Sequence, residues 1–376
     1  MDKPHAALNG ARSNSSLFTS ESVSEGHPDK VADAIADAIL DAYIAQDPDA
    51  RVACEVLCKS GDVIIAGEIA STAQVDHSAV ARNTIRAIGY TDPQEAFHAD
   101  GVRITDLIGA QSSNIAEGIV ASGEQGAGDQ GLMFGYATDE TPELMPLPLV
   151  LAHRLTRALA EERRSGEVPW LRPDAKAQVT VRYAGITPVA VDTVVVSTQH
   201  SADITVQEVQ QWLQHSFIPE VLGTWWHADI TVHANPAGAF VIGGPEGDCG
   251  VTGRKIIVDS YGGRARHGGG AFSGKDGTKV DRSAAYFARY VARQIVRQGL
   301  AKRVELQVCY AIGVAQPVAL HVDTFGTGDP VAAEHFARQF DHRPAAIIAQ
   351  LHLRSPLFRS TTNYGHFGKA GLPWEN

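Results

Sequence analysis

The chain has 376 residues, of which 44% are hydrophobic and 20% charged, and its formal net charge is −11. This length predicts two or three globular domains rather than one core. The acidic balance argues against a general nucleic-acid or acidic-membrane surface, and the lack of any run of about 18 apolar residues excludes a membrane helix. A polyanionic ligand would therefore need a local basic cluster.

The first part of the chain predicts a polar tail followed by a long helix. Residues 1–16 lack the apolar stretch of a secretory signal and are interpreted as a flexible tail. A helix is expected from Pro28, since proline suits the first helical position. Its later acids, Asp33, Asp37 and Asp41, recur every fourth residue and predict a solvated helix face.

Three later segments repeat one pattern, two alternating strands in a hairpin and then an amphipathic helix. They begin at nearly equal intervals, which predicts a threefold internal repeat of α+β domains. Two further helices are expected over 148–164 and 281–298, and the uncovered sheet faces suit a subunit interface. The predicted segments are Arg51–Cys58, Val63–Ser71 and Ser78–Ile88; Gln178–Tyr183, Ala190–Ser197 and Val206–Leu222; and Val304–Ile312, Val318–Thr324 and Pro330–Phe340.

The four cysteines form no CxxC pair and indicate no disulfide framework. Cys54 and Cys58 share one side of a predicted strand, which favours packing over metal binding. A reducing cytoplasm fits this usage.

The loop Gly268–Asp281 combines five glycines with two lysines and acidic residues, a composition suited to wrapping a polyanion and its metal ions. It is no P-loop, because Asp276 stands where a magnesium-binding hydroxyl is required and no hydrophobic strand precedes the loop. Three other glycine-rich, charged segments (20–30, 126–131 and 243–250) predict a shared site with it.

Several residues have both a structural and a chemical interpretation. His27 caps a helix or contacts a phosphate oxygen at the positive helix end. Asp29 and Asp281 each head a helix and could bind Mg²⁺ together with phosphate oxygens. Glu55 and Glu68 lie in hydrophobic strands, where they either face solvent or bind a cation and a substrate ammonium group. The basic set expected around a triphosphate is Lys176, Arg254, Lys255, Lys275 and Lys279.

Long stretches of the chain closely resemble the S-adenosylmethionine synthetase (methionine adenosyltransferase) family. The resemblance extends over nearly the whole chain, from about Leu17 to Trp374. The matching motifs are FTSESVSEGHPDK at 18–30, GEI at 67–69, GAGDQGLMFGYAT at 126–138, WLRPDAK at 170–176, GGPEGDCGVTGRKIIVD at 243–259, the YGG–ARHGGGAFSGKD stretch across 261–276 and KVDRSAAY at 279–286.

The resemblance implies three similar α+β domains around a pseudo-threefold axis, at 17–113, 126–240 and 241–376, with a mobile gate over 108–125. It implies a homodimer assembling to a homotetramer, with active sites at the dimer interface. The implied reaction is attack of the methionine sulfur on C5′ of ATP, with release of triphosphate that is then cut to pyrophosphate and phosphate. Two Mg²⁺ ions and one K⁺ ion per site are implied.

The resemblance also implies roles for matching positions. His27, Lys176, Arg254, Lys255 and Lys275 would be catalytic. The ATP contacts would add Asp129, Asp174, Phe240, Asp248 and Ala271, and the methionine contacts would be Glu68, Gln111, Asp248 and Lys279. Asp29 and Asp281 would hold Mg²⁺, and Glu55 would hold K⁺.

Two positions depart from the family pattern. Ala239 replaces an arginine before Phe240, which predicts weaker ATP binding or a looser substrate range, and Gly277 replaces a proline in the 268–281 loop. Two alternatives to the enzyme are an inactive homologue acting as a nucleotide-binding regulatory subunit and a conventional kinase. The kinase is disfavoured by the missing hydroxyl after Lys275 and by the absence of a candidate general base.

Overall fold

The computed structural model describes residues 15–110 and 125–376. The predicted tail therefore lies almost wholly outside the described residues, as do Gln111 and most of the predicted gate. No helix within the described ranges has the length and apolarity needed to cross a bilayer.

The long helix near the start forms where the sequence predicts it. Helix α1 spans Pro28–Ile44 and follows strand β1, Ser15–Val23. His27 caps the helix, since its Nδ1 accepts a hydrogen bond from the Asp29 amide at 3.2 Å. Proline costs no hydrogen bond at the first helical position, because the backbone N–H that it lacks would have no partner inside the helix.

The chain builds three units, each made of a leading strand, a helix, a hairpin and a further helix. The first unit continues with β2 (Arg51–Lys59), β3 (Asp62–Ala70), α2 (His77–Ile88) and β4 (Arg103–Ala110). The second comprises β5 (Gly131–Thr138), α3 (Leu147–Ser165), β6 (Leu171–Ala184), β7 (Thr187–His200), α4 (Val206–Trp212), a π-turn, α5 (Ile218–Leu222) and β8 (Thr231–Ala234). The third comprises short α6 (Gly244–Gly247), β9 (Gly250–Val251), short α7 (Ile256–Asp259), α8 (Val280–Arg297), β10 (Arg303–Tyr310), β11 (Ala319–Asp323), α9 (Pro330–Ala337) and α10 (Pro344–Gln350).

The three sheets are built by exchange of the leading strands between units. Strand β1 pairs antiparallel with β6, β5 with β10, and β9 with β2, so each unit donates its first strand to another unit's hairpin. In the first two units a last strand then pairs in parallel with the hairpin, β4 on β3 and β8 on β7. This cyclic arrangement confirms the predicted α+β architecture of three similar units.

Each long helix covers one face of a sheet and leaves the other open. Along β2, Val52, Cys54, Val56 and Cys58 are buried, whereas Glu55 between them is exposed. Burying a Val-sized side chain contributes about 1.5–3 kcal/mol, which fixes the strand with this face toward the helix. The two cysteines are free and buried, which confirms their packing role.

The prediction of a solvated acidic face on α1 is wrong. Asp33 and Asp37 are fully buried, because the third unit covers this side of the helix. Each acid accepts a backbone N–H from a loop: Asp29 from Val251 at 3.0 Å, Asp33 from Gly253 at 2.8 Å, Asp37 from Gly274 at 2.9 Å, and Asp41 from Phe358 and Arg359 at 3.0 and 2.8 Å. We call these four carboxylates the acid ladder.

Buried cations balance the middle of the acid ladder. Lys30 Nζ lies 3.0 Å from Asp33 and 2.5 Å from Asp259, and the fully buried Arg282 lies 2.7 Å from Asp37. A buried carboxylate is costly without such partners. The ladder therefore fixes three segments along one helix, around 251–253, 274 and 358–359, and the first two carry predicted site residues.

Candidate active site

The first group of predicted site residues lies around the N-terminus of α1. Lys255 Nζ lies 2.5 Å from Asp29 Oδ2, and Arg254 lies 3.5 Å from Asp29 Oδ1. Gly250 makes this approach possible, since a Cβ there would lie 2.0 Å from the Pro28 carbonyl oxygen. Two basic side chains are thereby held at the positive end of a helix dipole, where anions bind favourably.

A cavity of about 350 Å³ opens beside these residues. Its wall is formed by the helix start, strand β6 and the glycine-rich segment before β9. The Asp174 carboxylate accepts the Gly244 amide at 2.8 Å, which fixes the glycine-rich segment against β6. The predicted residues that line the cavity are His27, Asp174, Lys176, Phe240 and Asp248. With Asp29, Arg254 and Lys255 they form what we call the first cluster.

Electrostatics make His27 a neutral hydrogen-bond donor. Burial, followed by the charge of Lys255, lowers the pKa of His27 to about 3. Its Nδ1 already accepts the Asp29 amide, so the single ring proton resides on Nε2. Burial also raises the pKa of Asp174 to about 7.

The second group of predicted residues lies on the loop Gly268–Asp281 and on the edge of β2. Lys275 Nζ contacts Asp281 Oδ2 at 2.8 Å. Gly274 has φ +81°, and a Cβ there would lie 1.9 Å from the Cys54 carbonyl oxygen. Only glycine permits this contact, which brings Lys275 beside Glu55; we call Glu55, Ala271, Lys275 and Asp281 the second cluster.

Asp276 and Lys279 have a structural partnership in the same loop. Asp276 Oδ2 accepts the Val52 amide at 2.7 Å, and Lys279 Nζ lies 2.5 Å from the same oxygen. Asp276 therefore ties the loop to β2. Gly277, which replaces the family's proline in this loop, packs against Leu353. A Cβ on Gly277 would lie 2.8 Å from Leu353 Cβ, so Leu353 fills the space beside it.

Glu55 and Glu68 both face solvent in the described chain. They lie on the open face of the β2–β3 hairpin, where Glu55 pairs with Ala66 and Glu68 with Ala53. Neither glutamate is enclosed by its own chain, and their roles in binding a cation and a substrate ammonium group stay a prediction. Partial burial raises the pKa of Glu55, although Lys275 opposes that shift.

The carboxylates suit metal ions shared with phosphate rather than a protein-only cage. Within residues 15–110 and 125–376, no group of three or more His, Cys, Asp or Glu side chains could hold a metal. Asp29 and Asp281 instead each lie beside a lysine. Gly270 leaves space open at Asp281, because a Cβ on Gly270 would lie 2.3 Å from Asp281 Oδ1. Mg²⁺ usually takes one or two protein carboxylates plus phosphate oxygens, which this donor set fits.

Comparison with family models accounts for almost the entire chain. The N-terminal domain of S-adenosylmethionine synthetase matches residues 15–113, the central domain matches 124–240, and the C-terminal domain matches 242–376. The chain belongs to the S-adenosylmethionine synthetase family. Membership in this family implies synthesis of S-adenosylmethionine, with ATP and methionine as substrates and Mg²⁺ and K⁺ as cofactors.

The synthetase chain brings its predicted residues together as two clusters rather than one. Among the described residues, no hydrogen bond or ion pair joins the first cluster to the second. Asp129 is exposed, with its Oδ1 accepting the Gln130 amide, and Lys279 is directed to Asp276. Gln111 lies outside the described residues.

Sequence reasoning missed the residues that position the clusters. Asp33, Asp37, Arg282 and the Lys30–Asp259 pair contact the site loops from behind. A signal was present, because alanine and aliphatic residues fill nearly every other position of α1. A helix that is apolar all round is buried, so its acids needed internal partners.

Proposed function

We propose that this protein makes S-adenosylmethionine by attack of the methionine sulfur on C5′ of ATP. The whole triphosphate leaves and is then hydrolysed to pyrophosphate and phosphate. One observation carries the proposal: in a chain of net charge −11, a neutral histidine and Lys176 line a cavity at a helix N-terminus, and two further cations, Arg254 and Lys255, contact Asp29 beside it.

The chemistry of this substitution matches what the site contains. A thioether sulfur carries a lone pair and no proton to remove, so the attack needs no general base. The barrier lies in the charge that collects on the departing triphosphate, and preorganised donors and cations stabilise such charge most effectively away from water. Lys176, Arg254 and Lys255 supply that stabilisation, and the last two assist the later hydrolysis.

His27 is proposed to contact the triphosphate beside the breaking C5′–O bond. Its Nε2–H donates to an oxygen there, while the Asp29 amide holds the ring through Nδ1. A group with a pKa of about 3 acts as a neutral donor, so it strengthens its hydrogen bond as charge develops without transferring a proton.

Phe240 is proposed to stack on adenine, and Asp174 to order the glycine-rich wall beside it. The second cluster then supplies the remaining contacts, with Lys275 and Ala271 on the triphosphate. Asp129 and Asp248 bind the ribose or the methionine ammonium group. Glu68, Gln111 and Lys279 are proposed to bind methionine.

Asp29 and Asp281 are proposed to hold two Mg²⁺ ions, and Glu55 one K⁺ ion. When bound, these cations neutralise charge on the triphosphate and help to fix its position. Lys255 contacts Asp29 and Lys275 contacts Asp281, so both lysines are placed to move onto phosphate oxygens when the ligand enters.

A second copy of the chain is proposed to complete each site. The open face of the β2–β3–β4 sheet carries Glu55 and Glu68 together with Leu107, which is 61% exposed. An open sheet face of this kind suits an isologous dimer, in which the first cluster of one chain meets the second cluster of its partner. Two such dimers form the proposed homotetramer.

A cytoplasmic location is proposed from the cysteines. All four are free thiols, and none has a disulfide partner. Free thiols persist in a reducing compartment.

The direct test is incubation with ATP, methionine, Mg²⁺ and K⁺ followed by detection of the sulfonium product, pyrophosphate and phosphate. We expect all three products in equal amounts. Nucleotide binding without a sulfonium product would favour the inactive regulatory homologue, and formation of ADP would favour a kinase. Lys302→Ala, which removes an exposed lysine outside both clusters, provides a control for general effects of charge removal.

A further inference from the structure

A second polar cavity lies between helix α3 and the C-terminal segment 364–369. Its volume of about 60 Å³ exceeds the roughly 10–15 Å³ that one water needs. None of its lining residues belongs to the first or the second cluster. Its polar lining consists of Glu143, His153, Arg154, Arg157, Tyr364 and Lys369.

Three buried polar atoms of this lining have no hydrogen-bond partner. They are His153 Nε2, the Tyr364 hydroxyl and Glu143 Oε2. His153 is only 7% exposed, and its other nitrogen is engaged with Ser22 Oγ at 2.7 Å. Leaving a buried polar atom unpaired costs about 1–3 kcal/mol, so three such atoms on residues that line one cavity favour a polar occupant.

Positive charge dominates the same lining. Arg154, Arg157 and Lys369 stand against the single carboxylate of Glu143, which Arg154 contacts at 3.3 Å. Arg157 packs on the Tyr364 ring, with 5.4 Å from the guanidinium carbon to the ring centroid, and no carboxylate of the described chain pairs with it. Burial, followed by the charges of Lys30 and Arg157, lowers the pKa of Lys369 to about 7. Its Nζ donates to the Ser360 and Thr361 carbonyl oxygens at 3.2 and 2.8 Å, which leaves one N–H of the ammonium group for a ligand.

The backbone beside the cavity is held in an uncommon conformation. Tyr364 has φ +58°, a left-handed value that is unfavourable for a bulky side chain. Strain of this kind persists where the surroundings over-determine it, and it concentrates at ligand sites. Tyr364 lines the cavity from this turn.

We propose that this cavity binds a small oxyanion that carries its own proton, with inorganic phosphate as the ligand. Arg157, Lys369 and the Tyr364 hydroxyl donate to its oxygens. Glu143 Oε2 accepts only, as an ionised carboxylate does, so it pairs with a P–OH group and repels an anion that lacks one. Hydrogen phosphate has such a group at neutral pH and sulfate does not, so the lining selects phosphate over sulfate.

The test is a titration of the full-length protein with inorganic phosphate and, separately, with sulfate, followed by calorimetry. Saturating imidotriphosphate, a non-hydrolysable triphosphate analogue, is present throughout to fill the proposed active site, and it is too large for the 60 Å³ cavity. We expect one phosphate per chain and at least about tenfold weaker sulfate binding. Equal affinity for the two anions, or no phosphate binding, would overturn the proposal.

Two variants place the binding in this cavity. Arg157→Gln removes an exposed charge and its contact with the Tyr364 ring, and Tyr364→Phe removes a hydroxyl that has no hydrogen-bond partner, so neither change breaks an ion pair or a hydrogen bond of that hydroxyl. Each is expected to weaken phosphate binding by about tenfold, because each removes one charge-assisted or buried hydrogen bond to the anion. The matched control Arg297→Gln, an exposed arginine at the end of α8, should leave it unchanged. Phosphate affinity unaltered by both cavity variants would contradict the assignment.

Discussion

The two clusters differ in how much of a binding site each one supplies. The first has a cavity of about 350 Å³ between three parts of the chain, beside Asp29, whose side chain is only 2% exposed; its Lys176 and Arg254 side chains are 50% and 52% exposed. The second lies beside a bare sheet face that carries Glu55, with the Lys275 and Asp281 side chains 21% and 24% exposed. One cluster thus forms a pocket and the other a surface, which is what a site completed by a second subunit requires.

Both clusters nevertheless depend on the same helix. The acid ladder of α1 accepts amides from the loop that carries Arg254 and Lys255 and from the loop that carries Lys275. A change in the buried ladder is therefore expected to disturb both clusters, whereas a change at either surface affects one.

The largest expected effect is on stability, from Asp37→Ala. This change leaves Arg282 buried without its partner and removes acceptors for Gly274 and Thr362. Breaking a buried pair in this way costs about 3–5 kcal/mol in the free energy of unfolding. Urea unfolding measures it, with Asp203→Ala, at a surface acid, as the control. A loss below about 1 kcal/mol would show that the ladder does not hold the loops.

The next largest effect is on turnover, and it compares the clusters directly. Lys255→Ala and Lys275→Ala each remove one cation from the proposed leaving-group site. By analogy with loss of one oxyanion donor, each should lower kcat about 100- to 1000-fold, with little change in unfolding. If only one variant loses activity under initial-rate assay, the clusters do not serve one site.

A smaller effect concerns pH and distinguishes the first cluster. The pKa of His27 is about 3 in the folded protein against 6.5 when unfolded, so the unfolded state binds more protons between these values. The free energy of unfolding therefore decreases through His27 as the pH falls below 6.5. Above pH 6.5 the contribution of His27 is constant. Chemical unfolding at several pH values should show a shallower acid decline for His27→Gln. Identical slopes for both proteins would mean that His27 is not held neutral.

The smallest expected effect is at Ala239, the exposed neighbour of Phe240 in the first cluster. Restoring the family arginine, Ala239→Arg, adds a cation near the nucleotide side of the cavity. We expect the KM for ATP to fall by less than about tenfold, which is the effect of one hydrogen bond to a charged group. The KM for methionine should stay the same. Steady-state kinetics measure both constants, and unchanged ATP kinetics would contradict a role for this position.

Local pattern in the sequence was enough to predict the three hairpins, the helices and the repeat, but not strands β1, β4, β5, β8 and β9. Alternation along 51–58 and 63–71 predicted the β2–β3 hairpin, and the spacing of the segments predicted three similar units. The exchange of leading strands was not predictable, because periodicity shows which face of a strand is buried and not which distant strand it joins.

Composition and motifs proposed members of the candidate site, which stay a prediction, but did not indicate how those residues are arranged. Glycine-rich segments that carry charged residues indicated His27 and Lys275 as site residues, and Lys176 was added as part of the basic set expected around a triphosphate. Nothing in the sequence separated them into two clusters. The acid spacing of α1 was misread as a solvated face, because i, i+4 repetition is the same for exposed acids and for acids that bind buried amides.

Complementation between two inactive variants tests most directly the claim that each site joins the two clusters across a dimer. Lys255→Ala and Lys275→Ala chains are co-expressed, and the mixed dimers are assayed for S-adenosylmethionine. In a mixed dimer one site receives both changes and the other receives neither. The account predicts recovery of about one quarter of wild-type activity, since half of the randomly assembled dimers are mixed and each has one intact site. Activity no higher than the sum of the two separate variants would contradict it.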